Sequence, residues 1–370
     1  MADGSVAVVF GGPSPEHDIS ILTGLLAERV LRDAGVAVTP LYWTRTGDWV
    51  LCPPAQEGKD FLEGPPKGGR ELVLQMGAGI LAKKGLGGAK PLVLDAALNC
   101  CHGGAGENGG LNAVFDQLGI AMTGGPPPLA ALGMDKLAFG AVLSARGVPT
   151  LARAAVTSAE PGFGGPYIVK PRFGGSSIGI EIVEDMATAR ALATSSPLMR
   201  SGAVVEPFHA GAQDLNLALR THPALQVSLL EKPLSPDKSE GIYSYEQKYV
   251  SSQGLASAPR ELPAQVGAEV TAEAERLAGL VVAATGIRGL CRLDFLLVDG
   301  VLHVNEINTI PGSMGLYLWP AEVKPADLLL SAVEEARRAP RDASGAFEPG
   351  AALRAAGGIA GKLGQIGAGR

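Results

Sequence analysis

Two short stretches towards the carboxyl end of this 370-residue chain carry a concentrated set of reactive side chains: Arg292-Leu293-Asp294-Phe295, then Asn305-Glu306-Ile307-Asn308-Thr309-Ile310-Pro311-Gly312-Ser313. Side chains alternate along an extended strand, so Arg292 and Asp294 share a face of one strand, and Glu306 and Asn308 share a face of the next. Two carboxylates and an amide oxygen are hard ligands, suited to Mg²⁺ that bridges nucleotide phosphates. Arg292 beside them can neutralise charge that develops there. A salt-bridged surface strand pair would explain the charges, but not the amide and the Pro-Gly turn that accompany them.

A second anion-handling group is the loop Phe173-Gly174-Gly175-Ser176-Ser177-Ile178-Gly179, which follows Lys170. Small side chains let backbone N–H groups approach an anion closely while the lysine supplies compensating charge, so the loop can fold over a triphosphate. No GKS or GKT follows it, and it lacks the GxGxxG order of a dinucleotide fingerprint; a glycine-rich hairpin turn is the plain alternative. His102 ends a strand in a glycine loop with Glu107 shortly after it, which points to a site rather than a core histidine. Glu16-His17 opens the first strand-to-helix turn, where the helix dipole alone also favours Glu. Lys248-Tyr249 lie in a polar, aromatic-rich stretch that reads as a lid or as a surface loop.

These groups need elements to hold them. Val6-Ala7-Val8-Val9-Phe10, the turn Gly11-Gly12-Pro13-Ser14 and a helical apolar pattern over 19–31 read as strand, glycine turn and helix. Further strands are predicted over 37–43 and 92–99, with hairpin or loop structure between 52 and 91. After a Gly-Gly-Pro-Pro-Pro boundary, 129–145 reads as one helix and 167–171 as a strand ending in the glycine loop. Strands over 204–208, 215–219 and 225–230, a helix over 266–285 and strands over 291–298 and 301–306 complete the pattern. Alternating strands and helices imply an α/β fold with a parallel sheet whose sites gather at strand carboxyl ends.

Composition narrows the classes. Apolar residues at 46% and charged residues at 18% describe a globular chain long enough for two or three domains. A net charge of −6 without a Lys/Arg cluster argues against nucleic acid as a partner. The four cysteines show no CxxC spacing, pointing to a reducing cytoplasm. The apolar start of the chain is far short of the roughly 20 residues of a membrane span, so no membrane partner is expected.

Taken in order, FGGPSPEHDIS, HGGAGENGG, MDK, VKPRFGGSSIG, YEQKY, RLDF and NEINTIPGS resemble the D-alanine:D-alanine ligases of the ATP-grasp superfamily, from about residue 6 to 320. The resemblance implies a three-domain ATP-grasp architecture with an N-terminal parallel-sheet domain and ATP bound between the central and C-terminal domains. The expected boundaries are 1–125, 126–205 and 206–340, with a mobile tail over 341–370. It further implies an Mg-ATP-dependent ligase that forms D-alanyl-D-alanine through an acyl phosphate, for peptidoglycan, in a cytoplasmic homodimer with small amino acids as substrates.

Carried onto this sequence, the resemblance gives Lys136 and Lys170 to the ATP phosphates, with Ser176, Ser177 and Gly179 above them and Lys248 reaching in from the lid. Glu206, Phe208, Gln213 and Asp214 fall at the nucleotide. Asp294, Glu306 and Asn308 become ligands of two Mg²⁺. Arg292 and the Gly312 N–H stabilise the acyl transition state, and Glu16, with Ser176 and Tyr249, binds the first substrate's ammonium. His102, Glu107, Tyr317 and Leu318 fall to the substrates.

Two departures stand out. Gln213 occupies the place where the family usually has a ribose-binding Glu, and Tyr317 stands where it commonly has a serine that contacts the second substrate's carboxylate. A related ligase with another second substrate (D-Ala-D-X, an L-dipeptide or another amide) is therefore the alternative reading. A weakly catalytic nucleotide- or amino-acid-binding module is a reading of a different class.

Overall fold

The computed structural model describes residues 4–83, 88–158, 160–234, 259–339, 350, 353–354 and 358–367. The chain divides into two units, Met1–Arg338 and Ala339–Arg370, and in the second the helix Gly358–Gly367 is described. Among the described residues no single helix is long and apolar enough to cross a membrane.

Within the first unit the described strands form three sheets. The first contains β1 (Ser5–Gly11), β2 (Val38–Trp43), β3 (Trp49–Leu51), β4 (Arg70–Gln75), β5 (Gly79–Lys83), β6 (Ala89–Pro91), β7 (Leu94–Asn99) and β8 (Ala121–Met122), in the order β6-β5-β4-β3-β2-β1-β7-β8. Val6 to Phe10 are all buried, as a central strand covered on both faces requires. The sheet is parallel across β2-β1-β7-β8, where the strand-helix alternation predicts it. The stretch from 52 to 91, where hairpin or loop structure is expected, does hold the hairpins β4-β5 and β5-β6 and with them extends the sheet. Together with β3 it forms an antiparallel meander, because turns as short as those at 44–48 and 76–78 can only reverse a strand.

The second sheet has β9 (Ala154–Ala155), β10 (Tyr167–Pro171), β11 (Glu181–Val183) and β12 (Ala203–Pro207) in the order β11-β10-β12-β9. The third has β13 (Gln213–Arg220), β14 (Gln226–Pro233), β15 (Arg260–Glu261), β16 (Leu290–Val298) and β17 (Val301–Asn308) in the order β15-β14-β13-β16-β17. The helix Ala268–Thr285 buries Ala274, Leu277, Ala278 and Val281 in the same core as Leu217, Leu293 and Val304 of that sheet.

Residues 129–145, predicted as one helix, are two: Pro127–Met134 and Lys136–Ala145, bent by 96°. Apolar periodicity runs through the break, so pattern alone does not reveal it. Asp135 causes it by leaving helical geometry and capping the second helix, its carboxylate accepting the N–H groups of Leu137 and Ala138 at 3.1 Å each. Arg172 holds that carboxylate through two hydrogen bonds, at 2.7 and 2.5 Å. The break brings Lys136 to the first position of a helix aimed at the glycine loop, and its backbone N–H donates to the Arg172 carbonyl.

Candidate active site

One cleft is walled by the loops after β1 and β7, the glycine loop after β10 and the β16-β17 pair. Its lining includes Glu16, His102, Glu107, Lys136, Ser176, Arg292, Glu306, Asn308 and Gly312, and it holds about 550 Å³ with its open mouth included.

Strand register builds the acidic wall. Asp294 pairs directly with Glu306, and Arg292 with Asn308, so the four groups predicted to converge do share one patch. Arg292 donates to both carboxylate oxygens of Asp294, from Nε at 2.6 Å and Nη2 at 2.8 Å, and Asn308 Nδ2 donates to Asp294 Oδ2 at 3.0 Å. Lys136 Nζ donates to Glu306 Oε2 and to the Gly174 carbonyl, both at 2.7 Å. Among the described residues no group of three or more His, Cys, Asp or Glu is arranged to hold a metal. The set fits Mg²⁺ nonetheless: that ion takes one or two carboxylates and completes its octahedron with water and phosphate oxygens, and here two carboxylates with an amide oxygen stand together.

A second charged group is built on β10 and β12. Lys170 Nζ donates to Glu206 Oε2 at 2.7 Å, while Arg153 Nε donates to Glu206 Oε1 at 2.6 Å. Burial by itself would raise the Glu206 carboxyl, but the charges of Arg153 and Lys170 outweigh it and hold the group down to about 2. In the glycine loop, Ser176, Ser177 and Gly179 all have φ between 52 and 74°, a left-handed path that turns the backbone sharply over the cleft.

Glu16 faces this loop from the N-terminal sheet, and Ser176 Oγ donates to its Oε1. The approach depends on glycine: a Cβ added at Gly103 would lie 2.5 Å from Glu16 Oε2. His102 is buried, with Nε2 against Thr23 Oγ1 at 2.9 Å. Burial, reinforced by the nearby Arg292, pushes its ring down to about 4 against the bond it donates to the Ile310 carbonyl, so the imidazole is neutral at pH 7. Glu107 is pushed up to about 7, first by burial and then by the charge of Glu16, although the N–H groups of Gly103 and Ile310 donate to it.

Other expected residues lie elsewhere. Phe208 is half-buried just beyond β12, while Gln213 and Asp214 are exposed at the start of β13; none of them lines the cleft. Tyr317 stacks under the Arg260 guanidinium at 4.6 Å and its hydroxyl lies 3.4 Å from Glu231 Oε2. Leu318 is a correction: its side chain is fully buried in the hydrophobic core with Leu328 and Trp319, and so cannot form cleft wall. Lys248 and Tyr249, with the rest of the expected lid, lie outside the described residues. Sequence reasoning missed Arg153 and the Asp135–Arg172 pair; a lone arginine in the apolar run from Leu151 to Val156 was the available signal for the first.

The chain matches two family models in order, D-ala D-ala ligase N-terminus over residues 5–125 and D-ala D-ala ligase C-terminus over residues 129–331. It is 29% identical to D-alanine–D-alanine ligase A of Mesorhizobium japonicum, over 89% of this chain and 94% of that one. It is 30% identical to the D-alanine–D-alanine ligase of a Bradyrhizobium species, over 87% and 91%. Among solved structures, D-alanyl-alanine synthetase A of Vibrio cholerae superposes with a TM-score of 0.74 at 21% identity, over 91% of this chain and 99% of that one. The VanG D-Ala:D-Ser ligase of Enterococcus faecalis superposes at 0.72 and 21%, over 90% and 99%. The α/β architecture is thus the one these solved ligase structures share. With both halves matched in order and the relatives covered almost end to end, the chain belongs to the D-alanine–D-alanine ligase family, whose members are ATP-dependent ligases that use Mg²⁺.

Proposed function

We propose that this chain joins two D-alanines at the expense of ATP. A carboxylate oxygen of the first takes the γ-phosphoryl group, the amine of the second attacks the carbonyl carbon, and phosphate leaves with that oxygen, giving D-alanyl-D-alanine, ADP and phosphate. The observation that carries this reading is the convergence in one cleft of Glu16, the glycine loop, Arg292, Glu306 and Asn308, with Asp294 paired to Glu306 beside them. A carboxylate is a poor electrophile, and the acyl phosphate that activates it must be kept from water while it lasts.

In this reading Glu16, oriented by Ser176 Oγ, takes the first substrate's ammonium. Arg292 and the Gly312 N–H meet the charge that grows on the carbonyl oxygen. His102 and Glu107 fix the back of the pocket through the Ile310 peptide. Lys136 and Lys170 hold phosphate oxygens, and Ser177 and Gly179 cover them. Asp294, Glu306 and Asn308 would hold two Mg²⁺, which supply neutralisation of the nucleotide's phosphates when bound. The functional division at 1–125, 126–205 and 206–340, a homodimer and a cytoplasmic setting belong to the same reading. ATP-dependent phosphate release that requires D-alanine tests it, and release indifferent to every D-amino acid would overturn it.

A second reading, a different second amino acid, is favoured by one observation: Tyr317 is held between Glu231 and Arg260 in a network the Asn216 amide completes, with Nδ2 to Glu231 Oε2 at 3.0 Å. The structural neighbour from Enterococcus faecalis is a D-Ala:D-Ser ligase on the same fold. Offering D-alanine with each of a series of D- and L-amino acids decides between the two. If Tyr317 selects the partner, Tyr317→Ser shifts the mixed products; an unchanged product spectrum removes this reading.

A further inference from the structure

The side chain of Arg153 is buried, only 3% exposed. It sits at the end of a strap: Thr150 bridges to Val304 of β17, and the residue directly after Arg153, Ala154, enters β9 and pairs with Val205 of β12. The guanidinium therefore stands between the second and third sheets and bonds to both. On one side Nε holds Glu206 Oε1 at 2.6 Å; on the other Nη2 donates to the Asn305 carbonyl and, at 3.1 Å, to Asn305 Oδ1. Nη1 donates to the Lys136 carbonyl at 3.1 Å, which fixes the start of the helix that carries that lysine.

The slot is built for this group. A Cβ added at Gly140, on the helix Lys136–Ala145, would meet Arg153 Cδ at 3.1 Å and Nη1 at 3.2 Å. Asn305 is the extra residue of a β-bulge, since Asp294 pairs with Glu306 and the next residue, Phe295, pairs with Val304. A bulge leaves one peptide without a ladder partner, and Arg153 supplies the donor.

Charge explains why the group is a cation. Glu206 is completely buried and bonded to two cations, Arg153 on one oxygen and Lys170 on the other. If Lys170 were its sole counter-charge, turning that amine towards a phosphate would strand a buried carboxylate, and uncompensated buried charge is strongly destabilising. With Arg153 in place, Lys170 can leave without stranding the carboxylate.

We propose that Arg153 is a positioning residue of the nucleotide site: it keeps Glu206 compensated so that Lys170 is free for the phosphates of a bound nucleoside triphosphate, and it holds the Asn305 bulge that presents Glu306. This rests on the reading of Lys170 as a phosphate-binding group.

The test is a double-mutant cycle read by calorimetric binding of the non-hydrolysable probe AMP-PNP with Mg²⁺, with thermal unfolding recorded for every variant. Arg153→Met should raise the dissociation constant roughly tenfold or more. The same change in a Glu206→Gln background, where there is no charge left to compensate, should matter far less. Arg153→Lys, which restores a cation, should recover part of the affinity lost in Arg153→Met. An equal effect of Arg153→Met in both backgrounds, or none in either, would overturn the proposal, as would a lysine variant no better than the methionine one. Wild-type protein that binds no AMP-PNP would overturn the phosphate-site reading itself, a result distinct from the others.

Discussion

Each charged residue of the cleft wall is held by a partner that substrate would have to share or replace. Asp294 is gripped by Arg292 and Glu306 by Lys136, so cations occupy in this structure the oxygens that Mg²⁺ would take. Asp294→Ala or Glu306→Ala should leave the fold intact and lower kcat at least about a hundredfold, the worth of several kcal/mol of charge stabilisation. Circular dichroism beside steady-state kinetics checks this, and wild-type turnover in either variant would remove the metal assignment. Glu107 makes a different prediction. Its carboxyl lies near 7 in the folded chain against an ordinary 4.5, so between those values the folded state binds more protons than the unfolded chain. Stability must then fall as pH rises through that window. Glu107→Gln should flatten this limb of a melting-temperature profile, and an unchanged slope would count against it. The glycine loop after β7 drew attention to Glu107 in the sequence, and the structure places it in the cleft lining. Its neighbour across the cleft, Glu16, is too far away in the chain for spacing to connect the two.

At the scale of elements, positions come from strand register and from one helix break. Alternation along β16 and β17 was enough to foresee that Arg292, Asp294, Glu306 and Asn308 share a patch, because a period of two is a local property. The β-bulge at Asn305 was not legible, nor was the sharp bend at Asp135, because both are settled by partners distant in sequence: Arg153 for one and Arg172 for the other. Asp135→Ala should remove a helix cap, costing about 1 kcal/mol, and should also leave Arg172 without its carboxylate. Thermal unfolding should show the loss. The affinity for AMP-PNP should weaken too, since Lys136 begins the capped helix; a variant that melts earlier but binds normally would separate the cap from the site. The meander β3–β6 was legible only as hairpin or loop, since its short, half-exposed strands carry weak periodicity and are defined by the neighbours they pair with.

On the scale of the whole molecule, three sheets contribute to one cleft, and no single sheet carries a complete site. Glu16 and His102 come from the first, Ser176 from the loop of the second, and Arg292 and Glu306 from the third, so the cleft exists only when all three are assembled. The order of motifs along the chain made this division readable, whereas the fully buried Leu318 and the network around Tyr317 needed three dimensions. The most direct test of the central claim is mass analysis of the product formed from D-alanine, ATP and Mg²⁺ alone. The account predicts D-alanyl-D-alanine, with ADP and phosphate released in equal amount. Absence of that dipeptide, with ATP turnover unaffected by D-alanine, would contradict it.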